Sequence, residues 1–239
     1  SAANLLAVTN ITTEAIDLSN IRRWFGNYAD IISVYAAINS GAFTGLGSRQ
    51  ITISNTVTVA EANNVDSLNG SGRVNGTLSD GDMATLAGLS SEKNNHFNIT
   101  ITDASVAASA LKTLDGRTRS AINAAAVTTL TGSAADLNTA YASSGINGLG
   151  NENLTLSDSS LAASALNALD GRTSGAINAA SINTLTGSAA DLNTAYTSAG
   201  INNLGNEAVT LADSSLAASS LNALDGRTSG AINAASINT

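Results

Sequence analysis

Asp115, Asp170 and Asp225 are each followed two residues later by an arginine, Arg117, Arg172 and Arg227, in three copies of the segment LDGRT. A carboxylate and a guanidinium recurring in this way could build a charged binding column. The simpler chemistry is local: the arginine complements the last carbonyls of a helix and the aspartate neutralises it, an exposed pair worth about 0.5 kcal/mol. Asp80 and Asp82 in LSDGDM, and the Asn151-Glu152 and Asn206-Glu207 turns, offer the hard oxygens that calcium prefers. Asp82 also stands where an N-cap would precede Met83 and Leu86, in register with Asp136 and Asp191. His96 lies in the polar segment SSEKNNHFNIT with no repeated partner that would make it a general base. The chain lacks Cys and carries no HExxH, GxSxG or phosphate-cradling glycine motif. These residues predict no catalytic group and no cofactor site, and leave structural calcium as the one inorganic ligand the oxygen donors could hold.

The elements that must position these groups come from a repeat. DSSLAASALNALDGRTSGAINAA, from Asp158 to Ala180, returns from Asp213 to Ala235 with only Ala165 replaced, by Ser220. The offset of 55 residues also relates Tyr141 to Tyr196 in LTGSAADLNTAY. Constant spacing is the signature of stacked equivalent units. Within a period, Leu154-Thr155-Leu156 alternates as a short strand does, and Asp158 sits where an N-cap would open a helix with Leu161, Ala165, Leu166 and Leu169 on one face. Gly171 would close that helix at positive φ, an extended stretch runs from Ala176 to Thr186, and Ser188 caps a second helix bearing Ala189, Leu192, Ala195 and Tyr196. Gly200 before Ile201 resembles a C′ glycine. Each strand–helix cycle spans roughly 26 to 29 residues, a solenoid-like period.

The reading that follows is an α/β repeat solenoid: stacked strand–helix coils, a parallel sheet on one side and a layer of short helices on the other. Residues 1–50 read as a divergent N-terminal capping repeat, holding Arg22-Arg23, Trp24, Phe25 and Phe43, and 51–239 as tandem repeats of two coils each. Asn123, Asn178 and Asn233 recur at matching offsets and predict side-chain amide ladders. Thr100, Thr155 and Thr210 recur likewise, and an ordered Thr face of the ice-binding kind is the minor reading of them. The pattern stops partway through a repeat at Ser236-Ile237-Asn238-Thr239, which suggests a fragment boundary and an open sheet edge able to associate end to end. A bundle of short helices is the alternative fold, because Ala-rich segments dominate.

Composition narrows the partners. With ten Lys and Arg against 18 Asp and Glu, a net charge of −8 argues against nucleic acid, whose phosphates demand clustered cations. No stretch is long and apolar enough to predict membrane insertion. The absence of Cys rules out disulfides and thiolate metal sites, and 3% aromatic residues imply a core of small and branched side chains.

TLTGSAADLNTAY, GLGNE and LNALDGRT are similar to repeats of very long bacterial surface or secreted proteins, cyanobacterial ones included. The resemblance implies an extracellular or cell-surface structural role, a non-enzymatic spacer or scaffold of adhesin-like or S-layer-like kind. The alternative is an extracellular adhesion or binding module for calcium, a glycan or a protein partner.

Overall fold

The computed structural model describes residues 1–90 and 94–238. Ser91, Glu92 and Lys93, part of the polar segment around His96, and Thr239, the last residue of the broken repeat, lie outside the described residues. The chain is α/β, with short helices and exclusively parallel strand pairs among the described residues, so the helix-bundle alternative does not hold. It divides into two compact units. The first comprises Ser1–Asp103, Thr113–Ala124 and Ser144–Asn147, and the second Ala104–Lys112, Ala125–Ser143 and the chain from Gly148 onward.

The first unit contains a six-stranded sheet running from Ile146–Asn147 through Ile122–Asn123, His96–Thr100, Val74–Leu78 and Gln50–Val57 to Arg23–Gly26. Period-2 alternation decides which side chains are buried. Trp24, Ile51, Val74 and Phe97 face inward against the helices Tyr28–Asn39 and Val59–Asn69, while Phe25, Thr52 and Asn98 face outward. The aromatic residues expected to share a cap therefore part company. Trp24 and Phe43 are buried, Trp24 with its ring centroid 5.7 Å from that of Tyr35, whereas Phe25 is 55% exposed. The N-terminal helix Ala2–Thr9 packs on the helix Tyr28–Asn39, where Ala2 is wholly buried.

The second unit contains two parallel sheets. One has five strands, Ser105–Ala107, Thr129–Gly132, Asn153–Leu156, Ile177–Asn178 and Ile201–Asn202. The other has four, Ser160–Ala162, Thr184–Gly187, Ala208–Leu211 and Ile232–Asn233. Leu130 pairs with Leu154, Leu185 with Val209 and Ile177 with Ile201, 24 residues apart, while Leu154 pairs with Ile177 and Val209 with Ile232, 23 apart. The expected cycle, measured from Leu130 to Leu156, runs two residues too far, because the partner of Leu130 is Leu154 and Leu156 pairs with Gly132. Two steps of 24 fall seven residues short of the 55-residue period, and seven residues also separate Leu154 in the first sheet from Leu161 in the second. Identical segments consequently land in different sheets: TLTG at Thr129–Gly132 joins the five-stranded sheet, and TLTG at Thr184–Gly187 the four-stranded one.

This geometry revises several local expectations. Leu161 belongs to a strand, paired with Leu185, and the helix starts after it at Ala163, burying Ala163, Leu166 and Leu169. Within the stretch expected to be extended, Ile177, Ala179 and Ile182 are buried and Ala180 is exposed. Gly171 ends its helix at φ −75, an ordinary helical value, so no left-handed cap is made there. Gly200 too is absent from the left-handed region, and is required for another reason: a Cβ there would strike the Asp170 carboxylate.

Candidate functional site

The acidic residues singled out from the sequence turn inward to the backbone. Asp158 does not cap the helix that follows it, whose N-cap Ala162 makes no side-chain bond. Its carboxylate instead accepts from the amide of Ala134, 24 residues earlier, at 2.7 Å. Asp213 does the same for Ala189 at 2.7 Å, Asp80 for Val59 at 2.6 Å and Asp103 for Met83 at 2.5 Å, and Asn55 uses its side-chain oxygen on Tyr28 at 2.8 Å. Each acceptor meets the first helical amide, one of the four that an isolated helix leaves unpaired. The local N-cap supplies the other bond: Ser133 to Asp136, Ser188 to Asp191, Thr58 to Glu61 and Asp82 to Thr85. Asp82 thus matches Ser133 and Ser188 in position, not Asp136 and Asp191 as the sequence register suggests. With Asp80 and Asp82 aimed at separate amides, they do not converge on a shared point, and among the described residues no three His, Cys, Asp or Glu side chains gather.

Glu152 and Glu207, read as turn residues, are fully buried. Glu152 accepts from the Tyr141 hydroxyl at 2.8 Å and from the Gly150 amide at 2.9 Å, and its carbonyl accepts from the Thr173 hydroxyl at 2.6 Å. Glu207 repeats the arrangement with Tyr196 at 3.1 Å, Gly205 at 2.9 Å and Thr228 at 2.7 Å. In the first unit Tyr35 donates to Asn69, an uncharged counterpart, at 3.2 Å. Burial, and then the hydrogen bond and charge of Glu152, raise the Tyr141 phenol above its usual 10.0. Burial and then the charge of Glu207 push Tyr196 up to about 12. A carboxylate so enclosed, with its donors fixed, holds a turn. Composition and spacing had given only the Asn-Glu turn, and the signal that was missed is the fixed eleven-residue interval from each tyrosine to its glutamate.

The Asp–Arg motif does not form the expected internal pair in its second copy. Asp170 accepts from the Ser198 hydroxyl at 2.7 Å, and Arg172 donates to the Asn138 side chain at 3.0 Å. The two charges point to different neighbours because the turn between them ends the helix. Asn123, Asn178 and Asn233 fall in the six-, five- and four-stranded sheets respectively, so they do not stack as one ladder. Each has a threonine on one side, Thr155 opposite Asn178, Thr210 opposite Asn233 and Thr100 opposite Asn123, while asparagine meets asparagine on the other side where Asn147 lies opposite Asn123 and Asn202 opposite Asn178.

On the outer face of the six-stranded sheet a different row emerges. Phe25 lies opposite Thr52, Thr52 opposite Asn75, and Asn75 opposite His96. The Arg119 amide donates to the Asn95 carbonyl at 2.8 Å, which places Arg119 beside His96. Arg23 lies opposite Gln50, and Arg73, two residues before Asn75, continues that second row. Burial first, then the nearby Arg73 and Arg119, hold the His96 imidazole below its ordinary 6.5.

No family model, curated protein or solved structure matches this chain. No helix among the described residues is long and apolar enough to cross a membrane.

Proposed function

We propose that the chain is a non-enzymatic scaffold: a solenoid of stacked strand–helix coils within a large secreted or cell-surface protein. The observation that carries this reading is the bond from Asp158 to Ala134 and its equivalents, in which one coil supplies the cap of the helix one coil before. Such a contact has meaning only between neighbours in a stack, and it commits the acidic side chains to structure. The placement outside the cell rests on the resemblance of TLTGSAADLNTAY and LNALDGRT to surface-protein repeats. In a stack of nearly identical units, stability is a sum of repeat and interface contributions. Inserting one further copy of residues 158–212 after Ala212 should therefore raise the urea midpoint and the m-value together, and lengthen the particle in solution scattering along one dimension only. An unchanged m-value, or a second particle of unchanged length, would overturn the solenoid reading. Protease accessibility on intact parent cells tests the location.

The same scaffold reading extends to partners. Ala163, Leu166, Ile177 and Ile182 are buried, whereas the identical Ala218, Leu221, Ile232 and Ile237 one repeat later are partly or fully exposed. Ile177 has a strand on each side and Ile232 on one side only. In this chain the apolar edge is open to a second copy; in a longer array of the same repeats the next repeat would cover it. Sedimentation over a hundredfold range of concentration should show mass growth that Leu221→Asp abolishes; a monomer throughout would remove self-association from the reading.

A further inference from the structure

We propose that the edge formed by the helix Ala218–Asp225 and the strand Ile232–Asn233 binds, in trans, a free strand–helix segment of the pattern in residues 185–207, which folds as it docks. The proposal rests on the scaffold reading and names the partner of its open edge. Residues 158–180 and 213–235 differ at one position, so the two copies present the same side chains. The first copy already holds such a segment. Its strand Ser160–Ala162 pairs with residues 184–186, its helix Ala163–Asp170 packs against the helix Ala189–Thr197, and Ile177 pairs with Ile201. Polar bonds fix the register: the Ser198 hydroxyl donates to Asp170 at 2.7 Å, the Asn167 side chain to the Asp191 carbonyl at 3.0 Å, and the Ile177 amide to the Gly200 carbonyl at 2.8 Å.

The second copy carries the same groups without that cover. Ala163 and Leu166 are wholly buried, whereas Ala218 is exposed and Leu221 half-buried. Residues 215–217, identical to the strand Ser160–Ala162, form no strand, so this sequence is extended and paired only where a partner lies beside it. Ile232–Asn233 is the last strand of its sheet, and its outer edge is a template for one more. Asn222 and Asp225, the counterparts of Asn167 and Asp170, are exposed. Complementarity resides in side chains and backbone edges, and both are the same in the two copies. What fits the first therefore fits the second, by strand addition and by a helix laid on an apolar face together. A folded second copy fills this face only by releasing residues 185–207 from its own fold, where they are already held. A free segment has no such contacts to break.

The probe is a synthetic peptide of residues 185–207, LTGSAADLNTAYTSAGINNLGNE, titrated with the intact chain. A helix of 9 residues is too short to be stable alone in water, so docking must order it. Binding should appear as a saturable rise in fluorescence anisotropy of the labelled peptide, and as a gain of helical circular dichroism over the sum of the unlabelled parts. Leu221→Asp in the chain and Leu192→Asp in the peptide should each weaken binding about tenfold or more, since each puts a carboxylate into the apolar contact. Ile11→Asp, an exposed change in the other unit, should leave binding unchanged, and circular dichroism should show the chain variants folded. The absence of saturation, binding without a gain of helix, or equal binding by the Leu192→Asp peptide or the Leu221→Asp chain would overturn the assignment. Failure here would leave the scaffold reading intact, since that is read from unfolding and scattering.

Discussion

The carboxylate of Asp158 accepts a hydrogen bond from the amide of Ala134, and the carboxylate of Asp213 makes the same bond to Ala189, each across 24 residues and at 2.7 Å. A sequence neighbour already caps each of these helices, Ser133 and Ser188 respectively. The second cap comes from 24 residues further on, so local helix formation and the packing of segments distant in sequence become one event. An anion at a helix N-terminus also complements the helix dipole.

Removing that bond should destabilise the fold. Asp158→Ala or Asp213→Ala should each cost about 1–2 kcal/mol, as loss of an N-cap does. Urea denaturation measures it. Asp158→Asn, which keeps an acceptor oxygen and discards the charge, should recover part of the loss.

Glu152 should be more sensitive than any surface carboxylate. Glu152→Ala strands the Tyr141 hydroxyl and the Gly150 amide without their acceptor, and should cost about 2–4 kcal/mol, given about 1–3 for each buried polar group left unpaired. Tyr141→Phe should cost only about 1 kcal/mol. The double variant should lose less than the sum of the two, because the same contact is removed twice. Additive losses would mean that the tyrosine and the glutamate act apart.

Alkaline pH should unfold the protein through these tyrosines. Tyr196 keeps its proton to about 12 when folded, against 10.0 when free. The folded state therefore binds the proton more tightly, so its contribution is complete below pH 10 and falls as pH climbs from 10 to 12. Thermal melts across that range should show a steady drop, and Tyr196→Phe should flatten part of it.

Gly175 and Gly230 should resist substitution although neither has positive φ. A Cβ at Gly175 would strike the carbonyl of Glu152, and one at Gly230 that of Glu207. Gly175→Ala should therefore lower the melting temperature markedly, whereas Gly171→Ala, at a helical φ with room around the added carbon, should leave it unchanged or raise it.

Calcium should have little effect. The side chains of Asp80, Asp158 and Asp213 already accept from helix amides. Millimolar calcium should leave the melting temperature unmoved, and a large rise would show that these oxygens gather around an ion after all.

Local chemistry made much of the fold legible. Ser188 caps its helix as its position before Ala-Ala-Asp predicts, and Leu192 and Ala195 are buried at the expected helical spacing. LTL at Leu154 is a strand because alternation and branched side chains suit a pleated, half-buried surface. The site was less legible. Asp158 reads as the cap of its own helix, since a sequence shows only near neighbours, whereas its true partner is 24 residues away.

By itself the sequence determined the repeat, the helix start at Ser188, the strand at Leu154 and the small-residue core, all consequences of propensity and periodicity over a few residues. Only the tertiary structure decided the pairing steps of 23 or 24 residues, the placing of identical segments in different sheets, the burial of Glu152 and Glu207, and the meeting of Phe25, His96 and Arg119 on one face. The reason is that strand register is set by which apolar rows can be buried together across neighbouring strands, a choice that 55-residue identity leaves open.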